Sequence, residues 1–344
     1  MFPYILIYKI KTNMRNFFYQ IRFYFYLIFT NRFKKETINS ISKDGWILIF
    51  NDEFEGTELD KTKWATEEPW IVKNGTAWID SQVLVKDGEC LLTSDNYCGT
   101  LPIIDCNGEH YDVKTCSGQI FTYPSLYKKY GYYETRTKVL PGGIRYWPAF
   151  WFASRESWPP EIDQYEYMAA GDTRRMTMTY HWLSDKENWD EIWSLINECH
   201  KKGFLPTVLS TINENIKYMQ NPNEPPPWSS EKQTYIDKLN SLRIHKMHVT
   251  GLNNMDFDKH YHTYGMKWEE GKNGEKDRIT WYFDNLAVKT LRDGQWVNFG
   301  KYVQLPEHPM YTIIGNGSTP GYEFLPGQHP ASVRVSYFRC YIEK

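Results

Sequence analysis

Three carboxylates stand within six residues: Glu161, Asp163 and Glu166, in the segment WPPEIDQYEY at 158–167. Carboxylates rarely enter a buried surface without a task, and the segment otherwise reads as a strand. Residues two apart on a strand share a face, so Glu161 and Asp163 point the same way. Glu166 falls one position out of step. A β-bulge, one extra residue at Gln164 or Tyr165, returns it to the face of the other two. At ~3.3 Å per residue, a regular four-step span puts the outer Cα atoms roughly 13 Å apart. Two Glu side chains leaning inward close much of that gap. Cleaving a glycosidic bond with retention of configuration needs two carboxyl groups about 5 to 5.5 Å apart, and long acids flanking a short one suit that geometry. Crowding three carboxyls disfavours ionising them all, which suits a proton donor beside a nucleophile. Three acids at this spacing arise by chance in roughly one such chain in ten, so the weight falls on their setting.

The elements that must position these acids read as short strands. WILIFNDEF, QIFTYP, YGYYETRTKV, RMTMTYHW, DRITWYFDN, LAVKTL and VRVSYFRCYIEK are strand-like runs broken by Gly, Pro and Asn. Many short strands with turn signals between them predict an all-β sandwich, and no internal repeat is visible. A region at about 184–258 departs from the pattern. In DEIWSLINECHKKG, Ile192, Leu195, Ile196 and Cys199 fall at helical spacing, and Gly203 can close the helix. NPNEPPPW follows, too Pro-rich for a regular element. EKQTYIDKLNSL then places Ile236, Leu239 and Leu242 on one helical face. This predicts a small helical insertion, as decoration or as a wall of a cleft.

Composition bounds the function. The formal net charge of -2 over 344 residues offers no footprint for nucleic acid. Aromatics make up 17%, with 14 Trp and 26 Tyr; most fit the pleated core of a sandwich and a handful would serve to stack sugar rings. Of the six Cys, Cys90, Cys98, Cys106 and Cys116 are separated by seven, seven and nine residues, which is not zinc-site spacing. Disulfides in an exported protein and free buried thiols both fit. The first 43 residues are aromatic, basic and almost free of acids. FFYQIRFYFYLIF is too short and too interrupted for a spanning helix, so residues 1–43 are read as a signal or anchor ahead of a domain at 44–344. Any membrane contact is expected through residues 1–35, and the location is expected to be extracellular or membrane-anchored.

Upstream of the acids stands YGYYETRTKVLPGGIRYWPAFWF. Together the two stretches resemble glycoside hydrolase family 16. Its signature joins a Tyr-Gly-aromatic-Glu-x-Arg strand, a Trp-Pro-Ala-x-Trp strand and a Glu-Ile-Asp-x-x-Glu strand. The matches are Tyr130, Gly131, Glu134 and Arg136; Trp147, Pro148, Ala149 and Trp151; and the three acids. The resemblance covers roughly 46–183 and 261–344. It implies a jelly-roll β-sandwich with a concave substrate cleft, and endo-hydrolysis of a β-linked polysaccharide with retention. By motif match, Glu161 is the nucleophile, Glu166 the acid/base and Asp163 the group that orients the nucleophile. Trp147 and Trp151 offer stacking surfaces. His181 matches a position near the scissile bond, and Arg145 and Trp158 flank the site. No metal or cofactor is expected: the structural calcium often found in the family loses a charged ligand, because Ser336 stands where Asp is usual. Gln164 replaces the usual apolar residue between the acids, with little effect expected on the chemistry.

The six-residue acid motif resembles the laminarinase and galactanase branches, and Tyr167 followed by Gly171 favours β-1,3-glucan. A sulfated marine galactan would call for basic groups, for which Arg145, Arg155, Arg174 and Arg175 are near in sequence. The alternative from another class is a non-catalytic sugar-binding sandwich. A monomer is expected.

Overall fold

The structure, a computed structural model, describes residues 45–66, 72–73, 76–95, 102–104, 110–112, 115–139, 146–156, 159–167, 175–183, 194–195, 198–199, 201–202, 229–232, 234–235, 244–253, 260–297, 301–318 and 331–344. All of them lie in one compact unit, Gly45–Lys344; the N-terminal segment, Arg145 and Trp158 lie outside the described residues.

The strands, in chain order, begin with β1 (Trp46–Asp52), β2 (Val72–Lys73), β3 (Thr76–Trp78), β4 (Val83–Lys86), β5 (Glu89–Asp95), β6 (Pro102–Ile104) and β7 (His110–Asp112). Next come β8 (Thr115–Ser117), β9 (Gln119–Phe121), β10 (Gly131–Val139), β11 (Tyr146–Ala153), β12 (Glu161–Glu166), β13 (Arg175–Leu183) and β14 (Ile244–Asn253). The last are β15 (His262–Glu269), β16 (Arg278–Phe283), β17 (Leu286–Arg292), β18 (Trp296–Val297), β19 (Lys301–Tyr302), β20 (Tyr311–Ser318) and β21 (Ala331–Glu343). One sheet runs β17-β16-β15-β10-β21-β5-β8-β3-β2, with β1 added on β21 and β4 on β5. The other runs β14-β13-β12-β11-β20-β9. This is the expected jelly-roll sandwich. The chain weaves between the sheets, so β12 takes its neighbours from β11 and β13 while β20 arrives from far along the chain.

The core lies between the sheets and is largely aromatic. Phe150, Phe152, Ile162, Tyr165, Tyr180 and Ile314 of the six-stranded sheet are buried against Tyr133, Tyr264, Trp268, Trp281 and Phe338 of the other. Ring pairs bridge the layers: Tyr133 and Phe152 at 5.1 Å, Tyr165 and Tyr264 at 4.5 Å, Phe150 and Phe338 at 6.3 Å. Each such pair adds about 0.5–1.5 kcal/mol beyond its buried area. Burial pushes the Tyr165 and Tyr264 phenols up, so both stay neutral.

The 184–258 insertion is corrected in part. Helical residues occur at 194–195, 198–199 and 201, and again at 230–232 and 234–235. Leu195 and Cys199 are buried, as the spacing expects. The two stretches are tied by Lys202 Nζ to Glu231 at 2.7 Å and by the Tyr235 hydroxyl to Glu198 at 2.9 Å. Residues 244–253, however, form strand β14, paired along β13 from Arg175 to Leu183. Without it β13 would present an unpaired edge, and pairing overrides the weak local pattern of IHKMHVTGLN. Among the cysteines, Cys90, Cys199 and Cys340 are free and buried, whereas Cys116 is disulfide-bonded. Burial pushes the Cys340 thiol up to about 12 and the Cys199 thiol to about 11, which leaves both inert.

Candidate active site

Pro159 and Pro160 have no N–H to donate, so the strand ladder opens at Glu161. Along β11, Ala153 faces Glu161, Phe152 faces Ile162, Trp151 faces Asp163, and then Phe150 faces Tyr165. Gln164 has no partner in that pairing. On the other side His181, Tyr180 and Thr179 face Glu161, Ile162 and Asp163, and the next pair is Thr177 with Glu166. Both neighbours therefore record the same extra residue, and the bulge stands where the spacing expects it. It carries Glu166 to the outer face of the sheet with Glu161 and Asp163, while Ile162, Gln164 and Tyr165 are fully buried in the core.

His181 joins the acids. Its Nε2 lies 3.4 Å from Glu161 Oε1 and 3.4 Å from Asp163 Oδ2. Side-chain exposure is graded: 23% for Glu161, 7% for His181 and 3% for Asp163. Glu166 is 8% exposed. The acid on the open side is thus one that a substrate atom can reach, and the middle acid sits beneath. Glu161, Asp163 and His181 bring one ligand atom each within 4.8 Å of one another, a grouping that among the described residues could hold a cation.

The surroundings are arranged by the two-residue strand period. Trp147 and Trp151 share the outer face with the acids, and both are half-buried. Trp151, beside Asp163, packs with one side on the cluster of Phe121, Ala153, Tyr311 and Ile313. It is core and surface at once. Across the sheet from Glu166 the row reads Ala149, then Gly315, then Gln119. A Cβ on Gly315 would lie 3.1 Å from Gln119 Cγ, so this row stays low beside Glu166. Arg155 lies over the Tyr123 ring at 5.0 Å. Sequence reasoning missed Thr177, Thr179 and Trp281. The first two had a signal, the period of β13. Trp281 lies 118 residues from Asp163, yet its Nε1 donates to the Asp163 carbonyl at 3.1 Å from the opposite sheet; nothing local announces it.

The family model described as glycosyl hydrolases family 16 matches residues 238–325, the later strands rather than the acids. Glucan endo-1,3-beta-glucosidase A1 of Niallia circulans is 26% identical over 326 residues, 87% of this chain and 38% of its own length. Beta-porphyranase D of Zobellia galactanivorans is 32% identical over 125 residues, 35% of this chain and 28% of its own length. The solved structure of SCLam, described as a non-specific endo-beta-1,3(4)-glucanase from family GH16, is similar with a TM-score of 0.56 at 19% identity, covering 90% of this chain and 95% of its own. The chain spans well under half the length of these curated relatives.

Proposed function

We propose that the chain is a glycoside hydrolase of family 16, a reading supported by the family-model match, the glucanase relatives and the shared fold, and that it is a retaining, endo-acting glycosidase whose substrate is a β-linked polysaccharide, β-1,3-glucan in the first place. One observation supports this reading above the rest: the bulge recorded by both neighbours of β12, which gathers three acids and His181 on one open face. Glu161, the more exposed acid, attacks the anomeric carbon. Glu166 gives its proton to the leaving oxygen, then as base takes one from the water that hydrolyses the glycosyl-enzyme. Asp163, buried next to His181, orients the nucleophile. Trp147 and Trp151 offer faces on which sugar rings stack, and their half-burial supports that role. No metal or cofactor enters this chemistry.

The second reading is a galactan substrate. Its support is the similarity to a porphyranase. Export is part of the proposal, since a disulfide at Cys116 suits an oxidising compartment. Among the described residues no helix is long and apolar enough to cross a membrane. We take the chain to act as a monomer.

The test is hydrolysis of a panel: laminarin, mixed-linkage glucan, agarose, porphyran and carrageenan, with Glu161→Gln as control. Cleavage of laminarin foremost supports the first reading, and porphyran foremost the second. Binding without cleavage by the wild type would make the chain a sugar-binding module instead. Proton NMR of the earliest products should show the β-anomer before mutarotation. An initial α-anomer would mean an inverting enzyme, with the carboxyls about 6.5–9.5 Å apart.

A further inference from the structure

The bulge decides where Glu166 stands, so whatever holds the bulge holds the chemistry. An inserted residue lacks a cross-strand partner, and the ladder around it is weakened. Support here comes from inside the sandwich. Gln164 and Tyr165 both enter the core, each fully buried, and they meet consecutive residues of β15. Gln164 Nε2 donates to the Gly265 carbonyl, and the Tyr165 ring lies 4.5 Å from that of Tyr264. From β16, the fully buried Trp281 donates to the Asp163 carbonyl. The opposite sheet thus grips the peptide chain at three successive residues, 163, 164 and 165, between the two outer acids.

Gln164 is an expensive choice for that place. Burying an amide costs desolvation, and among the described residues only Nε2 finds a partner while Oε1 has none. An apolar side chain of the same length would fill the space without that cost. What it could not do is bond to Gly265. Gly265 itself is constrained, since a Cβ there would lie 2.4 Å from the Tyr132 hydroxyl oxygen. A buried polar group kept against the stability interest of a core is expected where function depends on it.

We propose that Gln164 is a positioning residue: its cross-core hydrogen bond to Gly265, together with that of Trp281 to Asp163, fixes the bulge and so the separation of the Glu161 and Glu166 carboxyls. This rests on the reading of those two acids as nucleophile and acid/base. An apolar residue and this Gln are then two ways to fill one position, and the Gln is the one that adds a directional tie.

Gln164→Met tests it. Met keeps the length and volume and removes both amide atoms. The variant should melt cooperatively at or above the wild-type temperature. Its kcat on the polysaccharide that the wild type cleaves should fall about 10- to 100-fold, the scale for a misplacement near 1 Å, with KM within about twofold. Crystal structures of both proteins should show a different or dispersed Glu161–Glu166 carboxyl separation in the variant. Trp281→Phe should act on kcat in the same direction, and the two changes should be non-additive in a double-mutant cycle. Should Gln164→Met not fold, Gln164→Asn carries the same measurements, since it keeps the amide but is one methylene short of Gly265. Unchanged kcat with unchanged separation overturns the proposal. The separation is read whatever the protein hydrolyses, so a wild type inactive on every polysaccharide counts against the assigned chemistry, and a separation that stays fixed counts against the role of Gln164.

Discussion

Among the described residues two buried His–carboxylate groups can be compared, and they differ in a useful way. His262 and Asp284 meet at 2.8 Å at the end of the inter-sheet core. Asp284 also accepts from the Thr263 N–H at 2.9 Å, and its own N–H donates to the Thr263 carbonyl at 2.8 Å. The imidazole stacks on Phe283 with centroids 5.0 Å apart. Asp284 and Asn285 have φ of +46° and +67°, as a two-residue type I′ hairpin requires, so this group locks the turn between β16 and β17. His181 instead stands 3.4 Å from each of two carboxylates, longer than a good hydrogen bond, and one of the two is open to solvent. Short bonds, closed surroundings and a strained turn make a structural tie. A histidine shared between two carboxylates, one of them open to solvent, marks the site. The residue types alone would not separate the two.

Substitutions can break or sharpen this contrast. The largest effect should come from Glu161→Gln or Glu166→Gln, which remove a reacting group: hydrolysis should fall by about 10³-fold or more while the melting curve and sugar binding stay near wild type. A folded Glu161→Gln protein with full activity would sink the assignment. Deleting Gln164 should come next, because losing the extra residue turns Glu166 to the core face unless the strand re-registers. Circular dichroism should report a folded sandwich and the hydrolysis assay little activity. Asp163→Asn keeps the shape and loses only the charge that orients the nucleophile, so a fall of about 10- to 100-fold in kcat is expected. Last comes the paired test. His262→Ala should cost about 1–3 kcal/mol of stability in a denaturant titration and leave kcat unchanged. His181→Ala should lower kcat with a smaller loss of stability. If the two histidines exchange these outcomes, the contrast drawn from their geometry is wrong.

Much of this was legible in the chain itself. The bulge could be read from the three acids because a strand has a period of two, and an odd spacing has few other meanings. Trp147 and Trp151 could be placed on the acid-bearing face for the same reason. The half-buried state of Trp151 could not, because it depends on Phe121 and Tyr311, which arrive from distant strands. Strand β14 was hidden for a related reason: residues 244–253 sit after a helical stretch, and they become a strand by pairing with β13.

The sequence alone determined what local periodicity controls: an all-β chain, the face on which each acid lies, and the need for one extra residue in β12. Tertiary structure alone decided what holds that residue in place. Trp281 and Gly265 reach Asp163 and Gln164 from the other sheet, across 118 and 101 residues of chain. It also decided that His262 locks a turn, and it gave His181, which the motif match had already set near the site, its place between Glu161 and Asp163. The physical reason is range. Alternation and turn chemistry act over a few residues and are written where they act, whereas hydrogen bonds across a sandwich join segments whose separation in sequence carries no signal of their contact.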